Sequence, residues 1–246
     1  MRVLVVSDNN FLVSQFKMIV AKPVFQRFSF TYKYSPNRND KHSEPNESFS
    51  PLNVRDHTQW IIDNFGLVIS AHCKQIFPDE LVENIRCINV HPGLNPYNRG
   101  WFPQVFSIIN GMPAGATIHE IDKKLDHGPI IAQKEVVLES YDTSLTAYEK
   151  IQAAEIDLLN NFLLAILKGE YDKKHAPFEG NVNLKIDFNK MCHLDLTNVD
   201  TFENHIKKLR ALTHGDYMNA YYFDSKGQKI FISLNIHLVN GKGDEK

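Results

Sequence analysis

Cysteine is scarce in this sequence: Cys73, Cys87 and Cys192 are the only three in 246 residues, widely spaced and without a CxxC pair. An odd, scattered set supplies neither a disulfide framework nor a structural zinc site. An excess of one charge is also missing. Lys and Arg total 27 against 29 Asp and Glu, a formal net charge of -2, so no global basic field exists to hold nucleic acid non-specifically. No run approaches the roughly 18 consecutive apolar residues of a membrane-spanning helix. Met1-Arg2 leads straight into a short apolar strand, with no signal-like segment and cleavage site. Glycine-rich phosphate loops are absent too: "SDNNF" lacks GxGxxG, and GxxxxGK[ST] occurs nowhere. The expectation is a cytoplasmic protein with no ordinary dinucleotide or P-loop site, no membrane and no nucleic-acid partner.

What is present suits one full domain and a small appendage: 43% hydrophobic residues, 16 of the residues Phe. "RVLVVSDN" reads as a buried strand ending in polar turn residues, and "FLVSQFKMIV" as an amphipathic helix. Lys33 to Asn53, rich in Asn, Ser, Pro and charge, reads mostly as loop. A helix is expected over Asp56–Phe65, a second buried strand over Gly66–Ser70, a short helix from Asp79 to Glu83, and a third strand in "RCINVH". Trp101–Gly111 reads as a helix closed by glycine, and "ATIHEID" and "PIIAQKEVVL" as strands flanking "KKLDHG". The longest periodic segment, Ser144 to Gly169, places Leu145, Tyr148, Ile151, Leu158, Phe162 and Ile166 on one helical face. Alternating strands and helices predict an α/β class: a Rossmann-like, mainly parallel sheet with helices on both faces. Past Asn181 a helix (Thr201–Leu212) precedes two aromatic strands, "AYYFD" and "KIFISLNIHLV", joined by "SKGQ". The expected division is therefore residues 1–180 and a C-terminal α+β subdomain, residues 181–246, whose hairpin is either a core element or a dimerisation element. The last six residues, Gly241 to Lys246, are expected to be disordered.

"CINVHPGLNPYNRGW" (residues 87–101) holds the candidate chemistry. Asn89 and His91 point to the same side of a strand, one pleat apart. They sit at the carboxyl end, where ligands bind in open parallel sheets. His91 can take a proton, the Asn89 amide can donate to a developing oxyanion, and Asp126 in "LDHGPI" can orient the imidazole. Such a set resembles acyl-transfer machinery without a Ser or Cys nucleophile, so the substrate itself must attack. His119 reads as a second layer of hydrogen bonding. Other readings stay open: His91 as a satisfied polar residue, Asp126 as a turn residue, or His91, His119 and Asp126 as a two-histidine, one-carboxylate metal set, which no spacing supports. Cys73 reads as a small buried apolar residue rather than a nucleophile.

"VISAHCKQIFPDEL", "INVHPGLNPYNRGWFPQVFSIINGMPAGATIHEID" and "LDHGPIIAQKEV" together resemble the formyltransferases that use 10-formyltetrahydrofolate. The likeness is close from Gly66 to Val137 and holds in layout over most of residues 1–169. In that family an Asn-x-His pair ends a strand and an Asp follows about thirty-five residues later, matching Asn89, His91 and Asp126 here. "HCKQIFP" with "HPGLNPYNRGW" is most similar to the nucleotide-sugar N-formyltransferases. The purine and methionyl-tRNA branches instead carry H-x-S-L-L-P, where this chain has Gly93 and Asn95.

The resemblance implies the formyltransferase fold and no metal. It implies formyl transfer from 10-formyltetrahydrofolate to a dTDP-linked amino-dideoxy sugar, best dTDP-4-amino-4,6-dideoxyglucose, for surface-polysaccharide (O-antigen) synthesis. His91 would be the general base, Asn89 the oxyanion donor and Asp126 the support of His91. Cys73, Gln75, Ile76 and Phe77 would line the pterin slot through backbone groups. Lys74 and Arg210 would meet the pyrophosphate, and Tyr97, Asn98, Arg99 and Trp101 the sugar. The aromatic strands from Tyr221 to Ile232 would join two chains in a homodimer. Alternatives are a dTDP-3-amino sugar as acceptor, a formyltetrahydrofolate hydrolase, or a non-catalytic folate- or nucleotide-binding module.

Overall fold

Alternate residues of the first strand face opposite ways, and both ways are buried. In β1 (Arg2–Val6), Val3 and Val5 enter one apolar cluster while Leu4 and Val6 enter another, all at most 1% exposed. A strand covered on both faces is the mark of a parallel α/β sheet. The computed structural model describes residues 1–36 and 49–239 and bears this out. After β1 come α1 (Asn10–Val20), β2 (Ser29–Tyr34), β3 (Phe49–Pro51), α2 (Thr58–Asn64), β4 (Leu67–Ala71), α3 (Asp79–Asn84) and β5 (Cys87–His91). Then follow β6 (Arg99–Gly100), α4 (Pro103–Asn110), β7 (Ala114–Glu120), β8 (Ile130–Val136) and α5 (Ser144–Lys168). Seven strands form one sheet in the order β3-β2-β1-β4-β5-β7-β8. The first five are mutually parallel, and β7 runs antiparallel to both β5 and β8.

Two strands fall where the sequence reads as loop or goes unassigned. β2, "SFTYKY", is mostly half-exposed and so lacks an apolar run. β3 is an edge strand of three residues ending in Pro51, a residue that only an edge accommodates easily. The middle of that stretch, residues 37–48, lies outside the described residues, as does the segment Gly241–Lys246.

Helix α5 is set by its ends. Thr143 caps the N-terminus in a capping box with Thr146, and Gly169 closes the C-terminus at φ +75°. Its buried residues include Ile151, Leu158 and Ile166 of the expected face, whereas Phe162 on that face is exposed.

Beyond residue 181 lie β9 (Val182–Asn183), α6 (Lys185–Cys192), α7 (Phe202–Leu212) and a hairpin of β10 (Tyr221–Phe223) and β11 (Lys229–Phe231). The hairpin's second strand is much shorter than the run "KIFISLNIHLV" suggests, and α6 has no expected counterpart. A third apolar cluster, including Val105, Ile108, Phe188, Cys192 and Leu212, packs α6 and α7 onto α4. β9 pairs with β6, tying this segment to the loop that follows β5. Among the described residues no helix is long and apolar enough to cross a membrane.

Candidate active site

The sheet register assembles the site. Asn89 and His91 close β5, and the antiparallel partner β7 places His119 directly across from Asn89. Asp126 arrives on the β7–β8 loop in a left-handed backbone conformation, φ +45°. Its Oδ1 accepts from Asn89 Nδ2 at 2.9 Å and its Oδ2 from the Gly100 N–H at 3.1 Å. The Asp126 carbonyl accepts from Asn95 Nδ2 at 2.9 Å. Asp126 is thus held by the strand end, by β6 and by the Pro/Gly/Asn loop at once. His91 Nδ1 stands 3.6 Å from Oδ2, and His119 Nε2 stands 3.6 Å from Oδ1.

Proton positions follow from the partners. The Glu120 carbonyl can only accept, so His119 donates from Nδ1, at 2.7 Å, and its Nε2 keeps a lone pair. Asn89 Nδ2 therefore gives one N–H to Asp126 and the other to His119 Nε2 at 3.3 Å. The two histidines address different oxygens of Asp126 instead of converging on one point. Among the described residues no group of three or more His, Cys, Asp or Glu is arranged to hold a metal ion.

His91 is 3% exposed. Burial pulls its pKa down to about 4; Asp126 opposes that, while His119, His72 and Arg99 add to it. For Asp126 burial acts upward, but its surroundings, His91 first and the Gly100 N–H among them, outweigh it and hold the carboxyl well below the usual carboxylate range. At neutral pH the pair is therefore a neutral imidazole beside a carboxylate. His91 Nε2 is buried and has no hydrogen-bond partner. An unpaired buried polar atom is costly, so it asks for a function. A carboxylate, an imidazole with a free lone pair and a nearby amide can accept a proton and stabilise the resulting charge. These residues fit an acyl donor meeting an amine.

Other expected site residues divide. Phe77 is buried, Ile76 is 75% exposed beside it, and the Lys74 N–H is held by Asp8 Oδ2 at 2.8 Å. The Gln75 side chain spans Val54 N, Leu52 O and Ser35 Oγ, so it ties loops together. Tyr97 is half-buried edge-on against Phe178, and Trp101 is half-buried with Lys185 Nζ 5.3 Å from its ring.

Three residues expected at the substrate are occupied elsewhere. Asn98 is 0% exposed, its amide bonded to Ser107, Asn110, Asn181 and Asn183. Arg99 is 3% exposed and reaches Leu125 O and Glu179. Arg210 gives Nε to Asp142 O and Nη2 to Glu139 O, bracing the turn before α5. Residue type suggested contact with ligand; each side chain also bonds within the protein, and Arg99 lines the cavity beside Asp126.

A second polar cluster escaped the sequence reading: Asn9, His72, Tyr148 and Glu155. One signal for it was present. Glu155 lies four residues after Ile151 and three before Leu158, squarely on the core face of α5.

Comparison with known proteins agrees with this geometry. The Formyl transferase family model matches residues 2–163, and the N-formyltransferase dimerization C-terminal domain model matches residues 187–238. The chain is 50% identical over 181 residues to dTDP-4-amino-4,6-dideoxyglucose formyltransferase of Mycobacterium tuberculosis, covering 74% of this chain and 77% of that protein. A sugar N-formyltransferase from a Shewanella species superposes with a TM-score of 0.94 at 47% identity, covering 98% of this chain and 99% of that one. A 4-N formyltransferase from Francisella tularensis gives 0.92 at 39% identity, with 97% and 98% covered. With the Asn89, His91 and Asp126 constellation in place at the end of β5, the chain belongs to the formyl transferase family.

Proposed function

We propose that the protein transfers a formyl group from 10-formyltetrahydrofolate to the amine of a dTDP-linked amino-dideoxy sugar, with dTDP-4-amino-4,6-dideoxyglucose as the acceptor. The observation that carries this reading is neutral His91, its buried Nε2 unpartnered, beside ionised Asp126. An attacking amine must lose a proton as it bonds to carbon, and this base suits it. Cys73 is a poor alternative nucleophile, because burial pushes its thiol up to about 11. The mycobacterial relative's name supports the acceptor, and the Francisella relative's name supports position 4.

Bound folate supplies the activated one-carbon unit. Cys73, Gln75, Ile76 and Phe77 would hold it, and the exposed Ile76 beside Phe77 offers an apolar shelf to a flat ring. His91 takes the amine's proton at Nε2. Asp126 then faces an imidazolium, and its 3.6 Å separation from Nδ1 closes to a charge-assisted hydrogen bond; as the bond from the formyl carbon to the folate nitrogen breaks, the imidazolium returns its proton to that leaving nitrogen. Asn89 keeps Asp126 in place with one N–H; the other, weakly engaged by His119 at 3.3 Å, is the donor for oxygen charge at the reacting carbon. Such a donor is typically worth about 3 kcal/mol. Tyr97 and Trp101 remain the sugar contacts on the loop, and exposed Lys74 the cation for the pyrophosphate. The exposed apolar residues Phe223, Ile230, Phe231 and Ile232 on and beside the hairpin support a homodimer through the C-terminal segment.

Mass spectrometry of the nucleotide sugar after incubation with enzyme and 10-formyltetrahydrofolate tests the assignment. A gain of one formyl group on the 4-amino sugar, with little on a 3-amino isomer, is the expected result. Folate consumed without a heavier sugar would replace the reading with that of a hydrolase.

A further inference from the structure

One buried ionisable pair takes no part in the chemistry above, yet it lies one strand away from it. Glu155 is 0% exposed in the middle of α5, on a helical face otherwise made of Ile151, Leu158, Leu159 and Leu163. An unpaired carboxylate there would be strongly destabilising. It is met by His72 Nε2, 2.7 Å from Oε1 and 2.9 Å from Oε2. His72 Nδ1 lies 2.9 Å from Tyr148 Oη, which accepts from Asn9 Nδ2 at 2.9 Å. Asn9 Oδ1 is already spent, capping α1 at Leu12 N. One proton arrangement satisfies them all: Nε2–H donates to Glu155, and Nδ1 accepts the Tyr148 hydroxyl.

What this clamp holds is the point where the chain leaves β4. Ala71 is the last residue in register, paired with Val90 of β5, so His72 follows beside His91. His72 adopts φ +58°, a left-handed conformation that disfavours any residue with a Cβ. Its carbonyl accepts from Asp8 N at 3.4 Å, and two residues on, Lys74 N donates to Asp8. The segment Cys73–Phe77 begins at this bend. A strained bend survives only when its surroundings over-determine it, and here three side chains from β1's loop and α5 do so.

We infer that His72, gripped by Glu155 and Tyr148, is a positioning residue that sets the Cys73–Phe77 segment for folate binding. The inference rests on the folate-dependent reading given above. His72 touches no reacting group; it acts through the backbone it fixes.

His72→Gly separates strain from grip, because glycine takes φ +58° freely and has no imidazole. Glu155→Gln and Tyr148→Phe keep shape and weaken one partner each, serving if the His72 variants fold poorly. Binding of 5-formyltetrahydrofolate, a stable probe, is measured for each purified variant, alongside kcat and both KM values. The expected result is folate Kd and KM raised about tenfold or more, in line with losing hydrogen bonds to a charged group, with sugar KM and saturated kcat within about threefold. His72→Asn, which tolerates the bend and keeps one hydrogen bond, recovers part of the affinity. Wild-type folate affinity in His72→Gly, or a fall in kcat with folate affinity unchanged, overturns the inference. If the wild-type protein binds no folate probe, the functional reading itself fails, and this inference with it.

Discussion

Replacing Gly93 with alanine perturbs the proposed base without replacing a polar group. Gly93 does not have a left-handed φ, so its need for glycine is one of space. A Cβ built there clashes with His91 Nε2 and lies 2.9 Å from its Cδ2 and 3.1 Å from Pro103 Cγ. Ordinary contact begins near 3.5 Å, and buried Pro103 stops the new methyl from moving the other way. The imidazole must therefore retreat by about 1 Å. A misplacement of that size costs about 100-fold in rate when geometry limits catalysis. Steady-state kinetics with both substrates saturating should show kcat down about 100-fold and both KM values within a few-fold, while thermal unfolding confirms the fold. A Gly93→Ala enzyme retaining kcat within threefold would refute the argument that the seat of His91 depends on a bare residue 93.

Asp126→Asn places an N–H against either Asn89 Nδ2 or the Gly100 N–H, whichever way the amide turns, because both carboxylate oxygens accept from donors. Turnover should fall about 10³-fold or more, read from initial rates with the fold checked by circular dichroism. Stability should also report on His91. Its folded pKa, about 4, lies below the unfolded value near 6.5, so the unfolded chain binds the extra proton first. Stability is therefore full above about 6.5 and is lost as pH falls towards about 4; His91→Asn should flatten that part of a Tm-against-pH curve, and an unchanged slope would reject the shift. At the C-terminus, Phe231→Glu on the exposed face of β11 should convert a dimer to monomer by light scattering, with unchanged mass counting against the hairpin as the interface.

The fold was legible wherever strands are buried on both faces. "RVLVV" and "LVIS" read as continuous apolar runs because helices cover both sides, whereas β2 and β3 sit towards the edge and show no such run. Asn89, His91 and Asp126 were readable because pleat and strand end place the first two and a family pattern places the third. Asn98 and Arg99 were expected at the substrate, and polar residue types do not reveal that the loop also bonds both to itself. Glu155 on the core face of α5 signalled a buried partner, but His72 could not be named as that partner, since the two lie 83 residues apart and meet only when α5 packs on the sheet.

The fate of the formyl carbon tests the central claim most directly. With the formyl carbon of 10-formyltetrahydrofolate labelled with carbon-13 and dTDP-4-amino-4,6-dideoxyglucose present, carbon NMR follows where it goes. The account predicts label in a sugar formamide with the wild-type enzyme, and none with a folded His91→Asn variant. Label released as free formate, or formamide formed at the wild-type rate without His91, would contradict it.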